Sequence, residues 1–283
     1  MSEKSSLRDF CGYPVNTVSL NEKGPVLIVL LHGFGAGIFS WHRVIEPLSA
    51  LGHVISYDRP AFGYTPYPSA ALHPNPYSLE GQLKLLGSII EKNRKGRPVV
   101  LLGHSAGGQI AAEFAVKHPD KLDLLVLEAP AILTPGPPEA FTRLLRNRVF
   151  NRIGPQLALR FKKAGDKLLY ASWLDRSKID QNTLDSYHSP TERENWPVAF
   201  FEFLRAAKAT TVQKRLGELD LPVFVVSGDR DKVVPVEDTF KVTEQIPGHR
   251  IYLVPNSGHI PHEEQPEDFL RVVSDFIRER LER

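Results

Sequence analysis

One run constrains the fold of this 283-residue chain more than any other: Pro25 opens Val26-Leu27-Ile28-Val29-Leu30-Leu31, with no polar break. A strand with one wet face alternates apolar and polar residues, whereas a continuous run suits a strand buried on both faces. Similar short runs recur at His53–Tyr57, Val99–Leu102, Asp123–Glu128, Val223–Ser227 and Arg250–Val254. Val15–Leu20 alternates and reads as a half-exposed strand. Between the runs the spacing is helical. Leu79, Leu83, Leu86 and Ile90 form one stripe, and Trp41 to Leu51 carries apolar residues at the same period. A helix is expected over Ala106–His118, stopped by Pro119, and another closes the chain over Glu267–Leu281. Buried strands alternating with helices imply an α/β chain with a mostly parallel central sheet and helices on both faces.

The alternation fails between Pro130 and Gly217. That stretch begins Pro-rich and then reads as helix throughout. It is far longer than the 2–6 residues of an ordinary αβ or βα loop. The expected organisation is therefore a core of residues 1–130 and 218–283 carrying an inserted helical cap at 131–217.

Charge excludes little but is unevenly spread. The net charge is +2, which makes no case for nucleic acid. Residues 131–217 hold 15 Lys and Arg against 8 Asp and Glu, leaving −5 for the rest. From Arg143 to Lys167 there are eight basic residues and one acidic one, and Arg143, Arg146, Arg148 and Arg152 interleave with Leu144, Leu145, Val149, Phe150 and Ile153. Such a stretch is either a solvated helix face or one that touches an anionic membrane. Cys11 stands alone, so no intrachain disulfide can form. The polar Met1–Arg8 lacks the apolar core of a signal peptide, and no run is long enough to span a bilayer. A soluble, cytoplasmic protein is the expectation.

Gly103-His104-Ser105-Ala106-Gly107 fits G-x-S-x-G. The pattern alone is weak, but here it follows a buried strand and opens a helix, the context of a nucleophile elbow. A serine hydroxyl needs a base. His259 follows the last expected strand, at the sheet end where open α/β folds place their sites. His262 is its rival, and His104 supports the elbow. The base needs a carboxylate to hold it. Gly228-Asp229-Arg230-Asp231 offers two, and chain order Ser105, Asp231, His259 suits Asp231. Backbone N–H groups of Ala106 and Phe34 are the candidate oxyanion donors, the second from the loop His32-Gly33-Phe34-Gly35-Ala36-Gly37. That loop lacks the third glycine of a dinucleotide fingerprint, and no Walker lysine follows. No cofactor is called for, and no Cys/His cluster has metal-ligand spacing.

These segments resemble the α/β-hydrolase superfamily: His32-Gly33-Phe34-Gly35, Asp58-Arg59-Pro60-Ala61-Phe62-Gly63, the Gly103–Gly107 elbow, Gly228-x-x-Asp231, and Gly258-His259 with Pro261-His262-Glu263. The histidine loop is similar to those of the epoxide hydrolase, haloperoxidase and carbon–carbon hydrolase branches. The resemblance implies Ser105, Asp231 and His259 as the triad and the helical insertion as a lid. Epoxide hydrolases and haloalkane dehalogenases carry aspartate at the elbow; Ser105 in its place favours acyl transfer.

The expected activity is hydrolysis of a small to medium, largely apolar carboxylic ester. Carbon–carbon bond hydrolysis, perhydrolysis, or a ligand receptor without turnover would use the same residues. Trp173 and Trp196, among the many aromatics of the insertion, are expected to border the substrate together with His32, Gly33 and His104. Asp58–Gly63 is expected to shape the site mouth, with Arg59 paired to Asp58.

Overall fold

The structure is a computed structural model that describes residues 4–147 and 150–281. Its eight strands form one sheet: β1 (Ser5–Phe10), β2 (Tyr13–Leu20), β3 (Leu27–Leu31), β4 (His53–Tyr57), β5 (Val99–His104), β6 (Leu124–Glu128), β7 (Val223–Gly228) and β8 (Arg250–Val254). They lie in the order β1-β2-β4-β3-β5-β6-β7-β8. The β1–β2 and β2–β4 pairs are antiparallel, and the other pairs are parallel.

The apolar runs do what their lack of alternation implies. In β3, Leu27, Val29 and Leu31 join a core on one face, where Leu83 and Leu86 of α2 (Leu79–Arg94) and Ile110 and Phe114 of α3 (Ala106–Lys117) pack. Ile28 and Leu30 enter a second core on the opposite face, with Trp41, with Leu48 of α1 (Ile45–Ser49), and later in the chain with Phe269, Val273 and Phe276. Each such side chain contributes roughly 1.5–3 kcal/mol by leaving water. Two dry faces hold the carboxyl ends of β3, β5, β6 and β7 in a fixed row.

Two expectations change, and one strand is added. Ser5–Phe10 forms edge strand β1, held by backbone pairing along its length and by Phe10, which is buried in the first core. With β1 on one side and β4 on the other, β2 is largely buried rather than half-exposed. The helix expected over Trp41–Leu51 is a 3₁₀ turn at Ile38–Trp41 followed by the short α1.

Between β6 and β7 the described residues form no strand. They fold into α4 (Glu139–Leu145), α5 (Phe150–Ala158), α6 (Arg160–Ser172), α7 (Gln181–His188) and α8 (Trp196–Ala206), with 3₁₀ turns at Arg176–Lys178 and Ser189–Glu192 between the last three. Trp196, Phe200 and Phe201 of α8 cluster with Leu145, Ala158 and Phe62, so the insertion is fastened to the loop after β4. The expected division at 217 cuts through the 3₁₀ turn Val212–Glu218, whose Val212 and Leu216 belong to the same core as α3. The chain ends with α9 (Val236–Thr243), α10 (Pro261–Glu264) and α11 (Pro266–Leu281). Among the described residues no helix is long and apolar enough to cross a membrane.

Candidate active site

Ser105 stands between β5 and α3 with φ +53°, a left-handed conformation that a non-glycine residue adopts only under constraint. The constraint is steric. A Cβ at Gly103 would lie 2.5 Å from the Gly107 carbonyl oxygen, and one at Gly107 would lie 2.4 Å from that of Leu31. Both flanking positions must be bare for the turn to be this sharp.

From Ser105 a chain of hydrogen bonds leads inward. The Ser105 Oγ is 2.9 Å from His259 Nε2, and His259 Nδ1 is 2.7 Å from Asp231 Oδ2. Asp231 Oδ1 accepts from the N–H groups of Val233 and Val234 at 2.8 and 2.9 Å, which fixes the carboxylate's direction. All three residues are buried. Three strand-end loops thus bring together a hydroxyl, an imidazole and a carboxylate. Asp229 turns elsewhere, and its Oδ1 accepts from Ser257 N.

The loop after β3 lies against the serine: a Cβ at Gly33 would be 3.3 Å from Ser105 Cβ. The Ala106 N–H is at the first turn of α3, among the amides that have no partner within a helix. The positive end of the helix dipole points there too. Phe34 borders the cavity next to the hydroxyl. This arrangement can take a proton from Ser105 and meet a developing negative oxygen with N–H groups.

The cavity above the serine has a volume of about 310 Å³. Phe34, Phe62, Trp196, Phe200, Leu169, Val233 and Ile260 form its apolar walls, with His104 beside Ser105. Lys162, Asp166, His188, Thr191 and Glu192 of the insertion give it a polar side. His188 Nε2 is 2.8 Å from Asp166 Oδ1.

Of the residues expected to border the substrate, Trp196 and His104 line this cavity, whereas His32, Gly33 and Trp173 are not among its described lining residues. His32 is fully buried. Its Nδ1 donates to the Gly33 carbonyl at 2.8 Å, and its Nε2 accepts from Arg59 N at 3.0 Å. Burial, and then the nearby Arg59 charge, push its pKa well below 6.5. A neutral ring with both nitrogens occupied shapes the loop and leaves nothing for substrate. Trp173 packs with Leu169 and Ile260 instead of facing the cavity.

Arg59 is not paired to Asp58. Its guanidinium donates to Gly33 O at 2.9 Å and to Gln82 Oε1 at 2.8 Å, pinning the loop that carries Phe34. Burial lowers its pKa to about 10. Asp58 instead accepts from Asn16 Nδ2 and from the N–H groups of Ile38 and Tyr64.

Sequence reasoning missed how the histidine loop is held. His104 Nε2 donates to the His259 carbonyl at 3.0 Å. The His259 N–H donates to Ser172 O at the end of α6. Buried Glu264 accepts from the N–H groups of Gly258, Leu174 and Asp175. His262, the rival base, is sealed away, with its N–H and Nδ1 both on Glu128 Oε1 at 3.0 and 2.8 Å. Adjacent glutamates in a short helix read as solvated, and no spacing rule marks them as buried.

The basic stretch is only partly visible. Arg148 and Val149 lie outside the described residues, as do the side chains of Arg152, Phe161 and Lys163. Arg143 of α4 and Arg146, the residue that follows its last turn, are exposed beside exposed Phe141 and Leu144. Among the described residues no cluster of His, Cys, Asp or Glu could hold a metal ion.

Comparison with known proteins agrees with this architecture. The chain is 27% identical over 285 residues to the uncharacterized hydrolase YugF of Bacillus subtilis, covering 98% of this chain and all of that one. It is 28% identical over 262 residues to 2-hydroxy-6-oxo-6-(2'-aminophenyl)hexa-2,4-dienoic acid hydrolase of Metapseudomonas resinovorans, covering 90% of this chain and 85% of the relative. It is 25% identical over 256 residues to a monoacylglycerol lipase of Xenopus laevis, covering 88% and 74%. A family profile described as the alpha/beta hydrolase family matches residues 28–272, from the first buried strand to the closing helix, and by that match the chain belongs to the alpha/beta hydrolase family.

Proposed function

We propose that the chain is a serine hydrolase that cleaves a small to medium, largely apolar carboxylic ester, with Ser105, His259 and Asp231 as its catalytic triad. The observation that carries this reading is the unbroken hydrogen-bond chain Ser105–His259–Asp231 at the floor of an apolar cavity. In the first step His259 Nε2 takes the Ser105 proton as Oγ attacks the carbonyl carbon. The carbonyl oxygen becomes an oxyanion, met by the N–H groups of Phe34 and Ala106. The imidazolium, held by Asp231, returns the proton to the leaving alcohol as the carbon–oxygen bond breaks. Water, deprotonated by the same ring, then releases the acid and restores Ser105.

Carbon–carbon hydrolysis would use the same triad, and the Metapseudomonas relative is named for a dienoic acid substrate. The lining favours the ester reading. Among the described lining residues Lys162 is set against Asp166 and Glu192, and most of the wall is apolar, which suits an uncharged ester better than a substrate carboxylate. A fluorophosphonate probe followed by an ester panel tests the proposal. Labelling at Ser105 with multiple turnover of apolar esters is expected. Labelling without turnover would point to a receptor, and faster cleavage of anionic diketone-like substrates would reverse the ester assignment.

The reading extends to one surface. Arg143 and Arg146, with Phe141 and Leu144, give α4 a basic and apolar face suited to weak contact with an anionic bilayer.

A further inference from the structure

A second cavity, of about 550 Å³, adjoins the first. It lies between β2, the Ile38–Trp41 turn and α7; Val18, Leu20, Ile38, Phe39 and Ile45 give it an apolar wall, and charged side chains including Lys4, Glu46, Asp58 and Glu263 line the rest. Tyr187, near the end of α7, is the one described residue that lines both cavities. Around it the chain divides its side chains between the two spaces. His188, Pro190 and Thr191 border the triad cavity, whereas Ser186 and Ser189 border the second.

The phenol is held on both sides. Its hydroxyl donates to Glu263 Oε1 at 2.7 Å, and its ring meets Phe39 edge-on with centroids 4.6 Å apart. Glu263 and Phe39 belong to the second cavity and not to the first. The ring is thus braced from behind, at the boundary of the space where substrate would sit. A cavity of about 310 Å³ is at the small end for a ligand site, where roughly 300–1,000 Å³ is usual.

We propose that Tyr187 determines substrate length: its ring closes the far side of the triad cavity, and removing it joins the second cavity to the site and admits a longer apolar tail. The proposal rests on the serine hydrolase reading. What limits length is the volume of the ring. The hydroxyl's bond to Glu263 serves to keep the ring in place.

The test is a panel of p-nitrophenyl esters from acetate to palmitate, with the wild-type protein, Tyr187→Ala and Tyr187→Phe. Tyr187→Ala is expected to move the kcat/KM optimum to longer chains. The ratio of laurate to butyrate turnover should rise by at least about tenfold, since one methylene in a fitted apolar pocket already changes selectivity by that order. Tyr187→Phe keeps the ring and is expected to keep the wild-type optimum. An unchanged profile in Tyr187→Ala overturns the proposal, and so does an equal shift in Tyr187→Phe, which would make the hydroxyl the determinant. Tyr187→Leu, with an intermediate shift expected, serves if the alanine variant does not fold, and no shift in it overturns the proposal equally. Labelling rates with ethyl and dodecyl fluorophosphonates give a second readout on Ser105. No labelling of the wild-type protein by either probe would defeat the serine hydrolase reading itself; labelling with a profile blind to residue 187 defeats only the role given to Tyr187.

Discussion

The sheet and the helical insertion hold their site residues by different means. On the sheet side each candidate catalytic group is over-determined: Ser105 by a strained turn between bare glycines, Asp231 by two backbone amides, and His259 by Asp231, His104 and Ser172. On the insertion side the cavity wall is made of aromatic packing around Trp196 and Phe200 and of half-exposed polar groups such as the His188–Asp166 pair. The difference teaches where chemistry and selectivity reside. Acyl transfer tolerates little displacement of the reacting atoms, whereas a pocket wall can vary and still exclude water. Substitutions in the sheet loops should therefore lower kcat, and those in the insertion should alter which substrates are accepted.

The largest effect tests the sheet side. Ser105→Ala should lower kcat on an ester by on the order of 10⁶, and near-wild-type turnover would remove the comparison's basis. Asp231→Asn should follow at about 10⁴, because an amide no longer holds the ring in the right tautomer. A loss confined to KM would instead make Asp231 a part of the pocket.

Glu264→Ala lies where the two regions meet. Its carboxylate accepts from Gly258 on one side and from Leu174 and Asp175 on the other. Removing it leaves the buried Gly258 amide unpaired, at about 1–3 kcal/mol, and frees the part-buried Leu174 amide and the exposed Asp175 amide at a smaller cost. Chemical denaturation should show a loss of a few kcal/mol. Turnover should fall in the same variant, by roughly tenfold to a hundredfold, through the displaced histidine loop. Unchanged stability would mean that the regions are not coupled through this residue.

What could be read from the sequence divides along the same line. Unbroken apolar runs and the Gly103–Gly107 turn are written in residue types, because dry strands and a sharp turn accept few alternatives. They place β3, β5, β6 and β7 and bring forward Ser105, Asp231 and His259. The polar partners Arg59, Glu128 and Glu264 were illegible, since a buried charged side chain has the same letter as a solvated one and only tertiary contacts separate them. β1 escaped for a related reason: an edge strand held by backbone pairing needs no apolar pattern. Within the insertion, helical periodicity was plain but its orientation was not, so Trp196 and Trp173 looked equivalent although only Trp196 reaches the cavity.

Buried titratable groups give the sheet side a pH window. Burial is the chief cause that raises Glu128 to about 7 and Glu263 to about 8, from an ordinary value of 4.5. The native state thus holds these protons more tightly than the unfolded chain. Their contribution to stability is full below 4.5 and is lost as pH rises through about 7 and about 8. Burial depresses His32, His104 and His262 below 6.5, so their contribution is present above 6.5 and lost as pH falls. Thermal melts across pH 5 to 9 should peak between these limits, around pH ~6.5. Glu263→Gln should flatten the decline on the alkaline side, and an unaltered alkaline slope in that variant would show that Glu263 does not lose its proton there.

The smallest effect concerns the outer surface of the insertion. Each arginine near an anionic bilayer contributes about 1 kcal/mol, so Arg143 and Arg146 with Phe141 and Leu144 support weak, reversible attachment at most. Co-sedimentation with phosphatidylglycerol vesicles at low salt should retain part of the protein, and neutral phosphatidylcholine vesicles should retain less. Raising the ionic strength to about 0.15 M, where screening acts over roughly 8 Å, should release much of the bound fraction. Arg143→Gln with Arg146→Gln should lower the bound fraction and leave turnover of a water-soluble ester unchanged, because α4 contributes no side chain to the cavity above Ser105. Equal retention on both vesicle types would leave α4 as an ordinary solvated face, and selectivity would then depend only on the inner wall of the insertion.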